Sequence, residues 1–199
     1  NQKHFLPLTK DNYLKIEDDF IKIAREVGKK VFVTVARMVP PKGYDIAVET
    51  AHYLKEKGIS YRWYFVGSGS EKQHILSMID KYLLQDDVIL LGLKTNPYPY
   101  MKLCDVYVQP SRFEGFGLTI AEAKILGKPV VSTNFKVVYD QITDEKNGLI
   151  SEMEATSLGN QIIRMITDNT LRQRIIANVM AEENMTYKTE VVKVEQLLD

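Results

Sequence analysis

Between residues 31 and 151, short apolar runs alternate with amphipathic stretches of helical length. This alternation constrains the fold more than any other feature. The first run, VFVTVA at 31–36, is unbroken and rich in β-branched residues. It reads as a strand buried on both faces. PKGYDIAVETAHYLKEKG follows and gathers Ile46, Ala47, Thr50, Ala51 and Leu54 on one helical face, closing at Gly58. The pattern then repeats. Strands are expected at 61–67, 88–92, 106–111, 129–134 and, as a final edge strand, 148–151. Helices are expected at 70–84, 96–104, 118–127 and, briefly, 137–142, with two more near 155–167 and 169–183. Strands spaced by helices make βαβ units. The expected fold is therefore α/β: a Rossmann-like, doubly wound parallel sheet of about six strands with helices on both faces. Residues 1–29 carry a helix-like spacing of Phe20, Ile23, Ala24 and Val27 before Gly28. They read as a lead-in helix or linker ahead of a domain over 30–199.

Composition narrows the partners. The chain has 199 residues, enough for one domain with a real core. Lys plus Arg number 26 and Asp plus Glu 26, so the net charge is zero. No overall field favours nucleic acid or an anionic membrane, and any anion site must be local. The single cysteine, Cys104, excludes an intrachain disulfide and points to a reducing compartment. At the end of an apolar helix it is expected in the core rather than as a nucleophile. No run is long and apolar enough for a membrane span, and the N-terminus does not have the form of a signal peptide. The chain opens at Asn and stops at VEQLLD, so it reads as part of a longer protein.

In parallel sheets ligands lie beyond the carboxyl ends of the strands. The loops there are ARMVPPKG, VGSGS, LGLKTNPYPY and PSRFEGFG, all expected on one edge. In the last, Glu114 and Glu122 flank a turn containing Gly115 and Gly117. A continuous helix would hold the two carboxylates about 12 Å apart along its axis. The glycines argue for a loop that folds back instead. The helix starting near Leu118 would offer free N–H groups and its positive end to a phosphate. A carboxylate suits a vicinal diol. Hydroxyls at both ends with phosphate between describe a nucleotide sugar. Arg37 and Lys42, stiffened by two intervening prolines, could clamp a diphosphate. Singly, each residue has a plainer reading: Glu114 as a partner of Arg112, Glu122 as support for the helix dipole, Arg37 and Lys42 as solvated cations. The combination is what carries the inference. VGSGS, around Gly67, lacks the third glycine of a dinucleotide fingerprint, with Lys72 in its place, and follows the second strand. It reads as a tight turn near a ligand. His4, His52 and His74 have no metal-ligand spacing, so no metal site is expected. The Tyr98 and Tyr100 rings read as packing, with one available to line a base pocket.

VARMVPPKGYDIAVETA, YFVGSGSEKQHI and VILLGLKTNPYPYMKLCDVYVQPSRFEGFGLTIAEAKILGKPVVSTN resemble the C-terminal, donor-binding domain of GT-B glycosyltransferases of group 1, or family 4. The resemblance covers about residues 30–180 and is most specific in the paired glutamates with seven residues between them. NPYPYMK before CDVYVQPS resembles bacterial surface-polysaccharide members. The resemblance implies a retaining, metal-independent and cofactor-free transferase. It would move a hexose from a nucleotide-diphosphate sugar, a UDP-sugar foremost, to a glycan or lipid-linked acceptor held by an N-terminal domain outside this chain. Glu114, Arg37 and Lys42 match the catalytic set. Arg37 and Lys42 match the diphosphate pair, Glu114 the contact to sugar hydroxyls, and Glu122 the ribose contact. Gly115, Phe116, Gly117, Leu118 and Thr119 match the phosphate- and sugar-contacting turn. Leu93 closes the stretch that reads the base, and Gly67 belongs to the donor-side turn. The implied location is cytoplasmic, peripheral to the inner face of the plasma membrane in the full-length protein. Two segments depart from the family pattern: VGSGS in place of a glycine turn ending in proline, and STNFKVVYDQI in place of a glycine-rich segment. An epimerase of the same fold and a non-catalytic nucleotide-sugar binding module are the alternatives. The paired glutamates argue against the first. The chain alone is expected to bind donor without efficient transfer.

Overall fold

The computed structural model describes residues 28–196. The expected lead-in helix over 1–29 lies outside the described residues except at its last two positions. Six strands form one sheet: β1 (Lys30–Val35), β2 (Tyr61–Val66), β3 (Val88–Gly92), β4 (Val106–Gln109), β5 (Val130–Thr133) and β6 (Leu149–Ser151). Six α-helices accompany them: α1 (Tyr44–Glu56), α2 (Lys72–Lys81), α3 (Tyr98–Leu103), α4 (Leu118–Ile125), α5 (Ala155–Thr167) and α6 (Asn169–Gln196). Pro40–Lys42 and Lys136–Asp140 are short 3-10 turns, the second where a short α-helix was expected.

Every strand pairing is parallel, and the strand order is β3-β2-β1-β4-β5-β6. The order reverses between β1 and β4. Chains leaving these neighbours depart to opposite sides and open a crevice at their carboxyl ends. β6 is an edge strand, as its sequence implies.

Unbroken apolar strands follow from two-sided burial. Phe32, Trp63 and Phe65 face one core, with Ile46 and Leu54 of α1, Ile75 of α2, Ile162 of α5 and Ile175 of α6. Val31, Val33, Tyr64 and Tyr107 face the other, with Met101 of α3 and Ile120 of α4. Alternate residues of β1 thus serve opposite layers, as a period of two requires. Phe32 meets Trp63 edge-on at 5.8 Å and stacks near Tyr61 at 5.7 Å. Each such ring contributes about 1.5–3 kcal/mol by leaving water. Cys104 is buried in the second core.

Polar groups close the joint at the switch point. Thr34 Oγ1 donates to the Val108 carbonyl at 2.7 Å and accepts from Trp63 Nε1 at 3.0 Å. The Val31 N–H donates to Asp105 Oδ2 at 2.8 Å. These bonds satisfy buried groups and fix β1 beside β4, where the ladder itself is short.

Candidate functional site

Because all strands run one way, the loops after β1, β2, β3 and β4 share one edge. Backbone hydrogen bonds fasten them to each other. The Met38 N–H donates to the Ser68 carbonyl at 3.0 Å, and the Glu71 N–H to the Met38 carbonyl at 2.9 Å. The Gly67 N–H donates to the Gly92 carbonyl at 2.8 Å. The Arg112 and Phe113 N–H groups both donate to the Pro41 carbonyl, at 2.8 and 3.1 Å. Gly43 makes the last contact possible. Its φ is +63°, and a Cβ there would lie 1.9 Å from the Pro110 carbonyl oxygen. The 3-10 turn carrying Lys42 therefore rests on the loop carrying Glu114.

The two side chains meet. Lys42 Nζ donates to Glu114 Oε2 at 2.5 Å, with 18% and 11% of the side chains exposed. Glu114 Oε1 accepts from Gln109 Nε2 at 2.8 Å and from Ser111 Oγ at 2.7 Å. Arg112, the nearby cation, instead forms a two-pronged pair with Asp45 at 2.7 and 2.6 Å. That pair pulls the Asp45 carboxyl below its ordinary range, against the desolvation that would raise it. A carboxylate offers about four acceptor positions. Three are taken at Glu114, which leaves one, on Oε2.

A cavity of about 270 Å³ opens beside this pair, lined by Val35, Ala36, Lys42, Glu114, Gly115, Phe116, Gly117, Leu118 and Thr119. Seven of the eleven candidate residues thus surround one space. Gly117 takes a φ of +82° and starts α4, so the chain folds back as the glycines imply. Gly115 has no positive φ, and nothing lies within 4 Å of where its Cβ would be. The Ile120 and Ala121 N–H groups donate to the Gly117 carbonyl at 2.9 and 3.4 Å, so the N–H groups before them in α4 lack an intrahelical acceptor and lie at the positive end of the helix. A cation, an anion-binding helix start and a carboxylate with one free acceptor position fit a phosphate joined to a polyol.

The other four candidates do not line this cavity. Arg37 is exposed on the loop after β1 and makes no ion pair among the described residues. Leu93 is 83% exposed after β3. Gly67 is buried, and its Cβ would lie 1.9 Å from the Ala36 carbonyl oxygen, so it sets the spacing of two loops. Glu122 is half-buried on α4 and accepts from the Tyr98 hydroxyl at 3.1 Å. Burial raises its carboxyl above the ordinary glutamate value, and the Tyr98 hydroxyl partly offsets that rise.

Gln109, Ser111 and Tyr107 were not singled out in the sequence, although one signal was available. Gln109 interrupts an apolar run that must be buried, and a buried carboxamide needs partners. The groups there are fully buried. The Tyr107 hydroxyl donates to Gln109 Oε1 at 2.8 Å, and burial pushes its ionisation well above the usual tyrosine range. Among the described residues, no three His, Cys, Asp or Glu side chains are grouped to hold a metal, and no helix is long and apolar enough to cross a membrane.

Comparisons with known proteins agree with the fold. The family described as glycosyl transferases group 1 matches residues 15–181. The poly(ribitol-phosphate) alpha-N-acetylglucosaminyltransferase of Staphylococcus aureus is 31% identical over 168 residues, 82% of this chain and 34% of that protein. A Campylobacter jejuni relative, N,N'-diacetylbacillosaminyl-diphospho-undecaprenol alpha-1,3-N-acetylgalactosaminyltransferase, is 26% identical over 96% of this chain and 49% of its own length. The chain therefore spans between a third and a half of these relatives. A crystal structure of a mutant of S. aureus TarM, in complex with Fondaparinux, alpha-GlcNAc-glycerol and UDP, superposes with a TM-score of 0.75 at 29% identity. It covers 85% of this chain and 35% of that one. The C-terminal domain of a glycosyl transferase group 1 protein from Francisella tularensis shares the fold, with a TM-score of 0.71 at 20% identity over 89% of this chain and 96% of that one. The sheet is the Rossmann-like unit of GT-B proteins, and the chain belongs to the group 1 glycosyl transferases.

Proposed function

We propose that this chain is the donor-binding half of a retaining glycosyltransferase that moves a hexose from a nucleotide-diphosphate sugar, a UDP-sugar foremost, to a glycan or lipid-linked acceptor in surface polysaccharide synthesis. One observation carries the reading: Lys42, Glu114 and the start of α4 converge on a single cavity at the switch point of the sheet. The names of the S. aureus and C. jejuni relatives and the UDP in the TarM complex support the chemical class. The cavity is smaller than most ligand clefts. It suits the sugar and the adjoining phosphate, with ribose and base extending toward Glu122 and Leu93.

In this reading, Arg37 and Lys42 bind the diphosphate. Glu114 uses its remaining acceptor position for a sugar hydroxyl, and Glu122 takes the ribose diol. The backbone of 116–119 holds phosphate and sugar. As the anomeric bond breaks, negative charge grows on the departing diphosphate. Arg37 and Lys42, brought to that charge, stabilise the transition state more than the ground state, which turns binding into rate. The acceptor is held by an N-terminal domain, so the chain alone transfers little sugar. Work on the cytoplasmic face of the membrane fits such a donor. Calorimetry with UDP, UDP-glucose, UDP-N-acetylglucosamine and uridine tests the reading. UDP should bind at least tenfold more tightly than uridine, and one UDP-sugar more tightly than UDP. Equal affinity for uridine and UDP would overturn it.

A further inference from the structure

We propose that Gln109 is a positioning residue that aligns Glu114 and Thr119 across the donor-sugar pocket without touching the sugar itself. The inference rests on the donor-binding reading and assigns a task to a residue outside the cavity lining. Gln109 ends β4 with no exposed surface. A carboxamide there is costly unless its hydrogen-bonding capacity is used. All of it is. Nε2 donates to Ser111 Oγ at 2.7 Å and to Glu114 Oε1 at 2.8 Å. Oε1 accepts from the Tyr107 hydroxyl at 2.8 Å and from Thr119 Oγ1 at 3.0 Å.

The chemistry of the partners decides which end faces which. An ionised Glu114 can only accept, so the amide nitrogen must face it. The carbonyl oxygen then receives the two hydroxyls, each of which can donate. Only a group with two donors and two acceptor positions in one plane meets these demands. One side chain thereby spaces both walls of the cavity, because Glu114 and Thr119 each line it. It also selects the orientation of Glu114. With Oε1 held by Gln109 and Ser111, Oε2 is the oxygen left for Lys42 and for a ligand. Ser111 completes the brace, accepting from Gln109 and donating to Glu114 at 2.7 Å.

Gln109→Glu keeps the shape and reverses the function of one end. Above its titration, a second carboxylate faces Glu114. Below it, the added proton restores a donor. The test is calorimetry on the 199-residue chain with UDP and with the tightest of UDP-glucose, UDP-galactose and UDP-N-acetylglucosamine, from pH 5.5 to 8. The readout is the ratio of UDP-sugar to UDP affinity, which cancels effects on the nucleotide alone. At pH 8 the ratio should fall about ten- to a hundredfold in Gln109→Glu, the scale of one lost hydrogen bond to a charged group. It should recover as the pH drops, while the wild-type ratio changes little. Wild-type binding with an unaltered ratio in the variant overturns this inference alone. Failure of the wild-type chain to bind any of the UDP-sugars overturns the donor reading and the inference together. Should Gln109→Glu not fold, the wild-type amide decides. Its side-chain ¹⁵NH₂ pair should exchange slowly with water and shift on Glu114→Gln, whereas exchange as fast as that of an exposed glutamine overturns the proposal.

Discussion

Replacing Lys42 by methionine should separate its role from that of Arg37, because only Lys42 is already paired. Lys42 Nζ lies 2.5 Å from Glu114 Oε2, and the two side chains expose 18% and 11% of their surface. Methionine keeps most of the stem and deletes the charge. Glu114 then keeps the neutral donors of Gln109 and Ser111 and loses its one cation among the described residues. A hydrogen bond between charged groups contributes about 1.5–3 kcal/mol. Breaking a fully buried pair costs about 3–5 kcal/mol. The partial exposure here, with two donors retained, argues for about 2 kcal/mol. For a chain of this size each kcal/mol moves Tm by about 2–4 °C, so Lys42→Met should melt about 4–8 °C lower. Arg37→Met removes an exposed cation and should stay within about 0.5 kcal/mol of wild type. Both should lose UDP affinity while uridine binds as before. The loss should be about tenfold for Lys42, which must leave Glu114 to reach a phosphate, and up to about a hundredfold for Arg37. Differential scanning calorimetry and titration with UDP read both quantities. A cycle with Glu114→Gln should give a coupling of about 1–2 kcal/mol. Equal melting of the two single variants, or a coupling near zero, would refute the ion pair as the source of the difference.

Glu122 should set a pH dependence. In the proposed reading a ribose diol donates to the ionised carboxylate, so UDP affinity should fall as the pH drops through a Glu122 pKa raised above 4.5 by burial. Tyr98→Phe removes the bond that favours the charge and should move the inflection upward; titration from pH 4.5 to 8 checks this, and an unmoved inflection rejects it. The linkage to stability has the same origin: with the folded value raised, the Glu122 contribution is present below the unfolded pKa and lost as pH rises through the folded one. Glu122→Gln should therefore gain stability relative to wild type at pH 7 and not at pH 4, by urea unfolding. Glu114→Gln releases Lys42, so bare UDP should bind at least as tightly as to wild type while a UDP-sugar loses its advantage; equal weakening of both contradicts the division of labour. Gly43→Ala combines a φ of +63° with a Cβ 1.9 Å from the Pro110 carbonyl oxygen and should cost well over 2 kcal/mol, roughly. Gly117→Ala, at a φ of +82° with ordinary contacts, should cost about 1–2 kcal/mol, and matching urea midpoints for the two would contradict the packing account. UDP binding should be the same in EDTA and in magnesium, since the donor reading assigns the phosphates to Arg37 and Lys42 rather than to a metal; a strict requirement for the metal refutes this.

The strands were legible because both faces of the sheet are covered, which leaves β1 as the unbroken VFVTV. The end of α2 was not. KYLLQDD continues the apolar spacing, yet the helix stops at Lys81 and Leu83 takes a φ of +52° with 71% exposure. Leucine rarely adopts that conformation, so its sequence carries no stop signal. The paired glutamates and the glycine turn were legible as local features. The partner of Glu114 was not, since Lys42 lies 72 positions away while Arg112 lies only two away. Arg112 is claimed by Asp45, a contact across 67 positions that local reading cannot supply. Gln109 could have been found: a carboxamide ending a buried strand demands partners at the strand's end, where the loops gather.

If the donor-binding reading holds, the arrangement around Glu114 also decides how a donor is held. Three of its four acceptor positions are filled before any ligand arrives, two by groups that the sheet and its following loop fix in place. Little orientation entropy is then lost when a sugar hydroxyl takes the fourth, which is the advantage of preorganisation. Lys42 is the adjustable member. Its stem is flexible and its ammonium is a point charge, and a diphosphate beside the start of α4 competes with Glu114 for it. As Lys42 turns toward phosphate, a second position on Oε2 becomes available to the sugar. On the donor-binding reading, nucleotide and sugar recognition are coupled through that one ammonium. A bare nucleotide must draw Lys42 from Glu114 without replacing the lost bond, whereas a nucleotide sugar supplies hydroxyls in its place. The preference for the sugar-bearing donor over its diphosphate product should accordingly shrink in Lys42→Met, even though the methionine touches neither sugar nor Glu114 by hydrogen bond. Unequal loss of UDP-sugar and UDP affinity in that variant is the mark of the exchange, and equal loss would mean that Lys42 and Glu114 act independently.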